Sequence, residues 1–314
     1  MKIVSFLPAA TKMIYDMGLQ EHLYGVTFEC PAEAAELPKI VRCVLEGKNY
    51  SSIEIDRIFS ASKAQGKSLY WVDQDLLEEI GPDIIFTQDT CEVCLIDTAC
   101  TLASVQHLSK QPELIQLSPD NLQDVFDCAI TIARALGKEE IAFNYLARLR
   151  NTMDEILDRL RAAGAPLKRV MLMEWIEPIY NCGHWIPYQI AAAGGVDMLS
   201  NPGGDSIVNK WEKIQKYNPE VLVIAPCGFD TGRSMEEMHL LTSKPGWEEL
   251  EAVKNKAVYL ADFDLFTQPS IGTLVKGIQV LACLFHPELF LADASLSKHF
   301  KPYFQDLSLQ KIKK

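Results

Sequence analysis

The chain has 314 residues, 48% hydrophobic and 23% charged, with a net charge of −12 and a pI near 5.0. This composition suits a globular protein of about two domains, and the acidic balance argues against nucleic acid or an anionic membrane surface as partner. No apolar run approaches the roughly 20 residues of a membrane span, so no membrane insertion is expected.

The opening, "MKIVSFLPAATKMIYDMG", lacks the apolar stretch and small-residue cleavage site of a secretory leader. A cytoplasmic protein is therefore the expectation, or a periplasmic or extracellular one if a leader has been removed. Nine cysteines, an odd number, in a chain of this size read as reduced thiols rather than a disulfide framework.

Residues 2–8 read as a strand and Ala9 to Met17 as a helix, followed by a strand over 23–30 and a helix over 53–66 stopped by Gly66. "WVDQDLLEEIGPDIIFTQ" predicts a helix, a Gly-Pro break and a strand, and 113–119 a further strand. Helical spacing then runs through 121–137 and again through 138–164, the second about 40 Å long at 1.5 Å per residue. Past it come a strand at 169–176, a helix at 186–195, strands at 220–228 and 257–266, and a helix at 271–287 closed by Pro287. The last twenty or so residues are polar and weakly patterned.

Strands alternating with helices imply an α/β fold with parallel sheets covered on both faces. The expected organisation is an N-terminal lobe over 1–137, a bridging helix over 138–164, a C-terminal lobe over 165–290 and a tail over 291–314.

In open α/β sheets, ligands bind beyond the carboxyl ends of the strands. The residues that follow the strands include Pro8 and Ala9, Glu29 and Cys30, then Gln88, Asp89, Cys91, Glu92 and Cys94. From the second half come Trp175, Cys182, His184 and Trp185, Cys227 and Phe229, Asp262, Phe266 and Gln268. Five of the nine cysteines (Cys30, Cys91, Cys94, Cys182 and Cys227) thus fall at strand ends, while Cys43, Cys100, Cys128 and Cys283 read as packing residues.

Trp175, Trp185, Phe229 and Phe266 offer apolar walls for a flat organic ligand, with Glu29, Gln88, Asp89 and Gln268 as hydrogen-bonding groups at its periphery. Cys91, Cys94, His184 and Cys227 are candidate metal ligands, with Cys30 as a further thiol. No Gly-x-Gly-x-x-Gly, P-loop or Gly-x-Ser-x-Gly elbow is present. A zinc ribbon would need a second Cys-x-x-Cys, and Glu92 beside Cys91 opposes thiolate formation.

"IVSFLPAATKMIYDMGL", "LYGVTFECPAEAAELPKI", "GPDIIFTQ", "NPEVLVIAP" and "HPELF" together resemble the class III substrate-binding proteins of ABC transporters over most of residues 1–290. "CEVC", "GHW" and "APCGF" are similar to the cobalamin-binding branch of that family. The resemblance implies two Rossmann-like lobes bridged by one long helix, a corrinoid or other metal chelate held between them, and no enzymatic activity. It also implies docking on a permease through one surface glutamate per lobe, near Glu54 and Glu212. Without export that docking has no partner, and both then read as solvated acids.

Two other functions stay open at this point. One is a cytoplasmic metal or metal-cluster protein using the cleft Cys and His residues. The other is a cofactor-modifying enzyme, which no nucleophile–base pair supports.

Overall fold

The computed structural model describes residues 1–65, 67–88 and 98–304. The chain divides into two compact units, Met1–Ala147 and Arg148–Lys314. Each has its own sheet and its own apolar core.

The first unit runs β1 (Ile3–Ser5), α1 (Pro8–Asp16), β2 (Leu23–Thr27), β3 (Lys39–Cys43), α2 (Ser52–Ala64), β4 (Tyr70–Val72), α3 (Gln74–Ile80), β5 (Ile84–Thr87), α4 (Thr98–Val105), β6 (Glu113–Gln116) and α5 (Leu122–Ala135). The first turns of α6 (Glu139–Ala163) complete it. Its sheet has the order β4-β3-β2-β1-β5-β6, and every neighbouring pair is parallel except β3 with β4.

Val4, Phe6, Ile40, Val41, Ile85 and Leu77 form the centre of its core. Burial of one such aliphatic or aromatic side chain contributes about 1.5–3 kcal/mol, so this cluster outweighs any surface ion pair. Local signals set the helix starts. Pro8 occupies the first turn of α1, where no amide hydrogen is needed. Ser51 and Glu54 close a reciprocal capping box on α2, and Asn121 and Asp124 do the same on α5.

The second unit takes the rest of α6, then β7 (Lys168–Trp175), β8 (Tyr180–Asn181), β9 (Gly183–His184), α7 (Ile186–Ala192), β10 (Gly195–Val196), β11 (Asn201–Pro202), β12 (Ile207–Val208), α8 (Trp211–Tyr217) and β13 (Val221–Ile224). It continues through α9 (Thr231–Glu237), α10 (His239–Thr242), α11 (Glu251–Lys254), β14 (Val258–Ala261), α12 (Asp264–Thr267), α13 (Ile271–Phe285), α14 (Ala294–Ser297) and β15 (Phe300–Pro302). The sheet order is β12-β8-β7-β13-β14-β15, with β10 also on β7. The central β7, β13 and β14 are parallel, and β8, β12 and β15 join antiparallel.

A buried polar hub fastens one side of this sheet. The Asp197 carboxylate, 8% exposed, accepts hydrogen bonds from Leu172 N (3.1 Å), Asn181 Nδ2 (3.1 Å) and Leu199 N (3.0 Å). Burial outweighs those bonds and pushes its carboxyl up to about 6.

The structure corrects several expectations. The sheets are mixed rather than wholly parallel, and β3 and β4 were not foreseen. The strand expected through 266 ends at Ala261, because the chain turns into α12. The region expected to be a polar tail from 291 contains α14 and β15, and Tyr259 pairs with Pro302 in the sheet. The Gly66 stop and residues 305–314 lie outside the described residues.

The long helix α6 has 25 residues and serves both units. In the first, Ala142 and Leu146 are buried and Tyr145 Oη donates to Asp16 Oδ2 at 3.1 Å. In the second, Ile156 and Leu160 are buried and the Arg159 guanidinium lies over the Phe290 ring. Among the described residues, no helix is long and apolar enough to cross a membrane.

Candidate functional site

Each sheet has a point at which strand order reverses. In the first unit β2 lies on one side of β1 and β5 on the other, so the crevice falls at the carboxyl ends of β1 and β5. Phe6 N donates to Phe86 O at 3.0 Å and closes the strand pair just below it. Pro8, Ala9 and Gln88 follow these two strands, and all three are buried. Cys30 is half-buried, with its thiol directed at Ala34 O, 3.5 Å away.

Glu29, beyond β2, retains contact with solvent. Desolvation by the protein around it, and second the Glu46 charge, nonetheless push its carboxyl up to about 7. Asp89, Cys91, Glu92 and Cys94 lie outside the described residues.

In the second unit the crevice falls at the carboxyl ends of β7 and β13. Cys227 N donates to Glu174 O at 3.0 Å, which sets the half-buried Cys227 beside Trp175 at the strand ends. Trp175 is half-buried, and its ring lies 5.4 Å from that of Phe229. The Arg233 guanidinium covers Phe229 at 3.8 Å from its ring centroid. Phe229, 1% exposed, is therefore a support beneath Trp175 and not a ligand wall.

Trp185 and Phe266 require the same correction, being 7% and 0% exposed. Trp185 Nε1 donates to Phe266 O at 2.6 Å, which satisfies the buried indole and locks the two segments together. Of the four expected aromatic walls, Trp175 alone keeps substantial exposed surface. Gln268, at the end of α12, is half-buried.

His184 stacks on Trp185 at 5.4 Å and takes a left-handed backbone conformation, φ 50°. Hydrogen bonds between His184 N and Gly204 O and between Gly203 N and His184 O hold it there. Its Nε2 lies 3.8 Å from Asp205 Oδ1.

The cysteine expectations divide. Cys43, Cys128 and Cys283 are buried packing residues. Cys182 is also fully buried, its thiol against Asp197, and burial raises its pKa far above the ordinary thiol range. Cys182 therefore faces no crevice. The side chain of Cys100 lies outside the described residues.

Among the described residues, neither His184 nor Cys227 belongs to a trio of ligand atoms close enough to share a metal. Among the described residues, the trio that does is Asp262, Asp264 and His299. Sequence reading had noticed Asp262 at a strand end, but not the partner that β15 brings to it.

A profile of the family described as "Periplasmic binding protein" matches residues 72–265, more than half of the chain. The chain belongs to that family. Its fold places it among the class III members, and the family is one of substrate-binding proteins, not enzymes.

A curated relative, the "Uncharacterized ABC transporter substrate-binding lipoprotein YvrC" of Bacillus subtilis (strain 168), is 22% identical over 306 residues, covering 92% of this chain and 81% of its own. Two solved structures share the fold. The periplasmic vitamin B12 binding protein BtuF of Vibrio cholerae has a TM-score of 0.60 and 18% identity, over 91% of this chain and 96% of its own. A periplasmic heme binding protein from Pseudomonas aeruginosa has a TM-score of 0.68 and 16% identity, over 94% and 96%. These relatives are named as lipoproteins or periplasmic proteins, and they lend no support to the expectation of a cytoplasmic one.

Proposed function

We propose that this chain is the substrate-binding component of an ABC transporter and that its cargo is a planar metal chelate, a cobalamin-like corrinoid in the first instance. The observation that carries the reading is Trp175. An indole with exposed surface, backed by Phe229 and Arg233, stands beside Cys227 at the strand-order reversal of the second sheet. A large rigid ring there suits a flat ligand, because it supplies apolar area at little conformational cost. The half-buried thiol offers a soft axial donor to the chelated metal.

The vitamin B12 and heme binding proteins that share the fold support a chelate of this class. The Bacillus subtilis relative supports a membrane permease as partner and a place outside the cytoplasm. Glu54 and Glu212, both exposed and each in the first turn of a helix, are the carboxylates through which docking would occur.

The test is titration of the purified chain with hydroxocobalamin and, separately, hemin, followed by absorption and calorimetry. A shifted corrinoid spectrum with saturable heat is expected, weakened at least about tenfold in Trp175→Ala, since loss of one aromatic anchor costs about 1.4 kcal/mol or more. Saturation by hemin alone would replace the corrinoid by a haem. No response to either chelate overturns the reading.

A further inference from the structure

At the carboxyl end of β14, Asp262, Asp264 and His299 each bring a ligand-capable atom to within 4.8 Å of the others. Two segments far apart in sequence make this meeting. Asp262 N donates to His299 O at 2.9 Å, just where β15 begins to pair with β14. His299 Nδ1 lies 2.9 Å from Asp262 Oδ2. With the Nδ1 proton given to that carboxylate, the free lone pair of the ring sits on Nε2.

That Nε2 is shut off from solvent and has no hydrogen-bond partner, and the same is true of Asp264 Oδ1. Native structures satisfy nearly all such buried atoms, so two orphans on adjoining residues need an explanation.

We propose that Asp262, Asp264 and His299 bind a first-row divalent cation such as zinc. His299 Nε2 and Asp264 Oδ1 are the two atoms that gain a partner, while Asp262 fixes the ring and adds its charge, a pairing in which a carboxylate orients a metal-bound imidazole. Imidazole with carboxylate suits zinc, manganese or ferrous iron. It does not suit cuprous copper, which prefers sulfur, or calcium and magnesium, which take oxygen alone. A bound cation would tie the start of β15 to α12, which carries Phe266 and ends at Gln268. The proposal does not rest on the chelate reading, which uses Trp175 and Cys227.

The test uses the full chain carrying Cys91→Ser and Cys94→Ser, so that those thiols cannot supply the signal. Chelator-treated protein is titrated with zinc by calorimetry. One zinc per chain, a low-micromolar Kd and a raised Tm are expected, with affinity at least about tenfold lower in His299→Gln and in Asp264→Asn on the same background.

Cobalt loading of the background protein is a second measurement that needs no further variant. Weak visible bands of nitrogen and oxygen coordination are expected, and an intense sulfur-to-cobalt band overturns the assignment. Absence of zinc uptake by the background protein, or unchanged affinity in both variants, overturns it as well.

Discussion

Asp197 is a carboxylate whose surroundings work against its charge. Its folded-state pKa of about 6 lies above the ordinary 3.8, so below pH 4 the folded and unfolded chains both hold the proton. Between pH 4 and 6 the folded chain keeps a proton that the unfolded chain has released. The group's stabilising contribution is therefore complete at low pH and is lost as pH rises through 6, a change of about 3 kcal/mol.

In Asp197→Asn that slope should vanish, seen as the difference between wild-type and variant urea midpoints from pH 4 to 7. At pH 4 the variant should be the less stable of the two, since its amide nitrogen cannot accept from a backbone donor that the carboxylate now serves, and that deficit should shrink as pH rises through 6. At this scale the sequence was only half legible. It showed which residues follow a strand but not which way the chain then turns. Trp175 closes a strand and stays at the edge, whereas Phe266 lies inside the four-residue α12 and turns inward.

Helix α13 illustrates how an element sets its neighbour. It is apolar along most of its length, and at Gly277 the backbone of α12 comes in close. A Cβ there would press on the Leu265 carbonyl oxygen and lie 2.8 Å from Gln189 Nε2, the amide that donates to that same oxygen. Alanine would gain up to about 1 kcal/mol of helix propensity, but crowding a backbone carbonyl costs about 1–3 kcal/mol. Gly277→Ala is therefore expected to be destabilising by about 1 kcal/mol in urea unfolding, and to loosen α12, whose Phe266 carbonyl holds Trp185.

Elements of this kind were the most readable part of the chain. The unbroken apolar spacing of α6 and the buried runs of β5, β7 and β13 stand out in the residues themselves. β3 was obscured because Lys39 and Arg42 interrupt its apolar residues. β15 was obscured because an edge strand needs no apolar run, and its partner lies some forty residues earlier in sequence.

For the molecule as a whole, α6 is the element that both units hold in common. Ala147 sits on its exposed side at the boundary between them, so a substitution there touches no core. Ala147→Pro should cost about 3 kcal/mol or more by removing a helical hydrogen bond and clashing with the preceding turn. Wild type should lose helical circular dichroism in one transition, and the variant in two, because each unit retains its own core. A single unshifted transition in the variant would show that α6 is not what couples them.

The closing strand has a consequence for how these molecules behave when crowded. β15 lies at the rim of its sheet and carries exposed Lys301 next to Pro302. A rim strand ordinarily invites another chain to zip onto its free backbone groups. Here one donor is missing outright at the proline, and a charge would have to be desolvated for a second molecule to add. β15 thus acts as a selvedge, leaving that border of the sheet a poor template for aggregation.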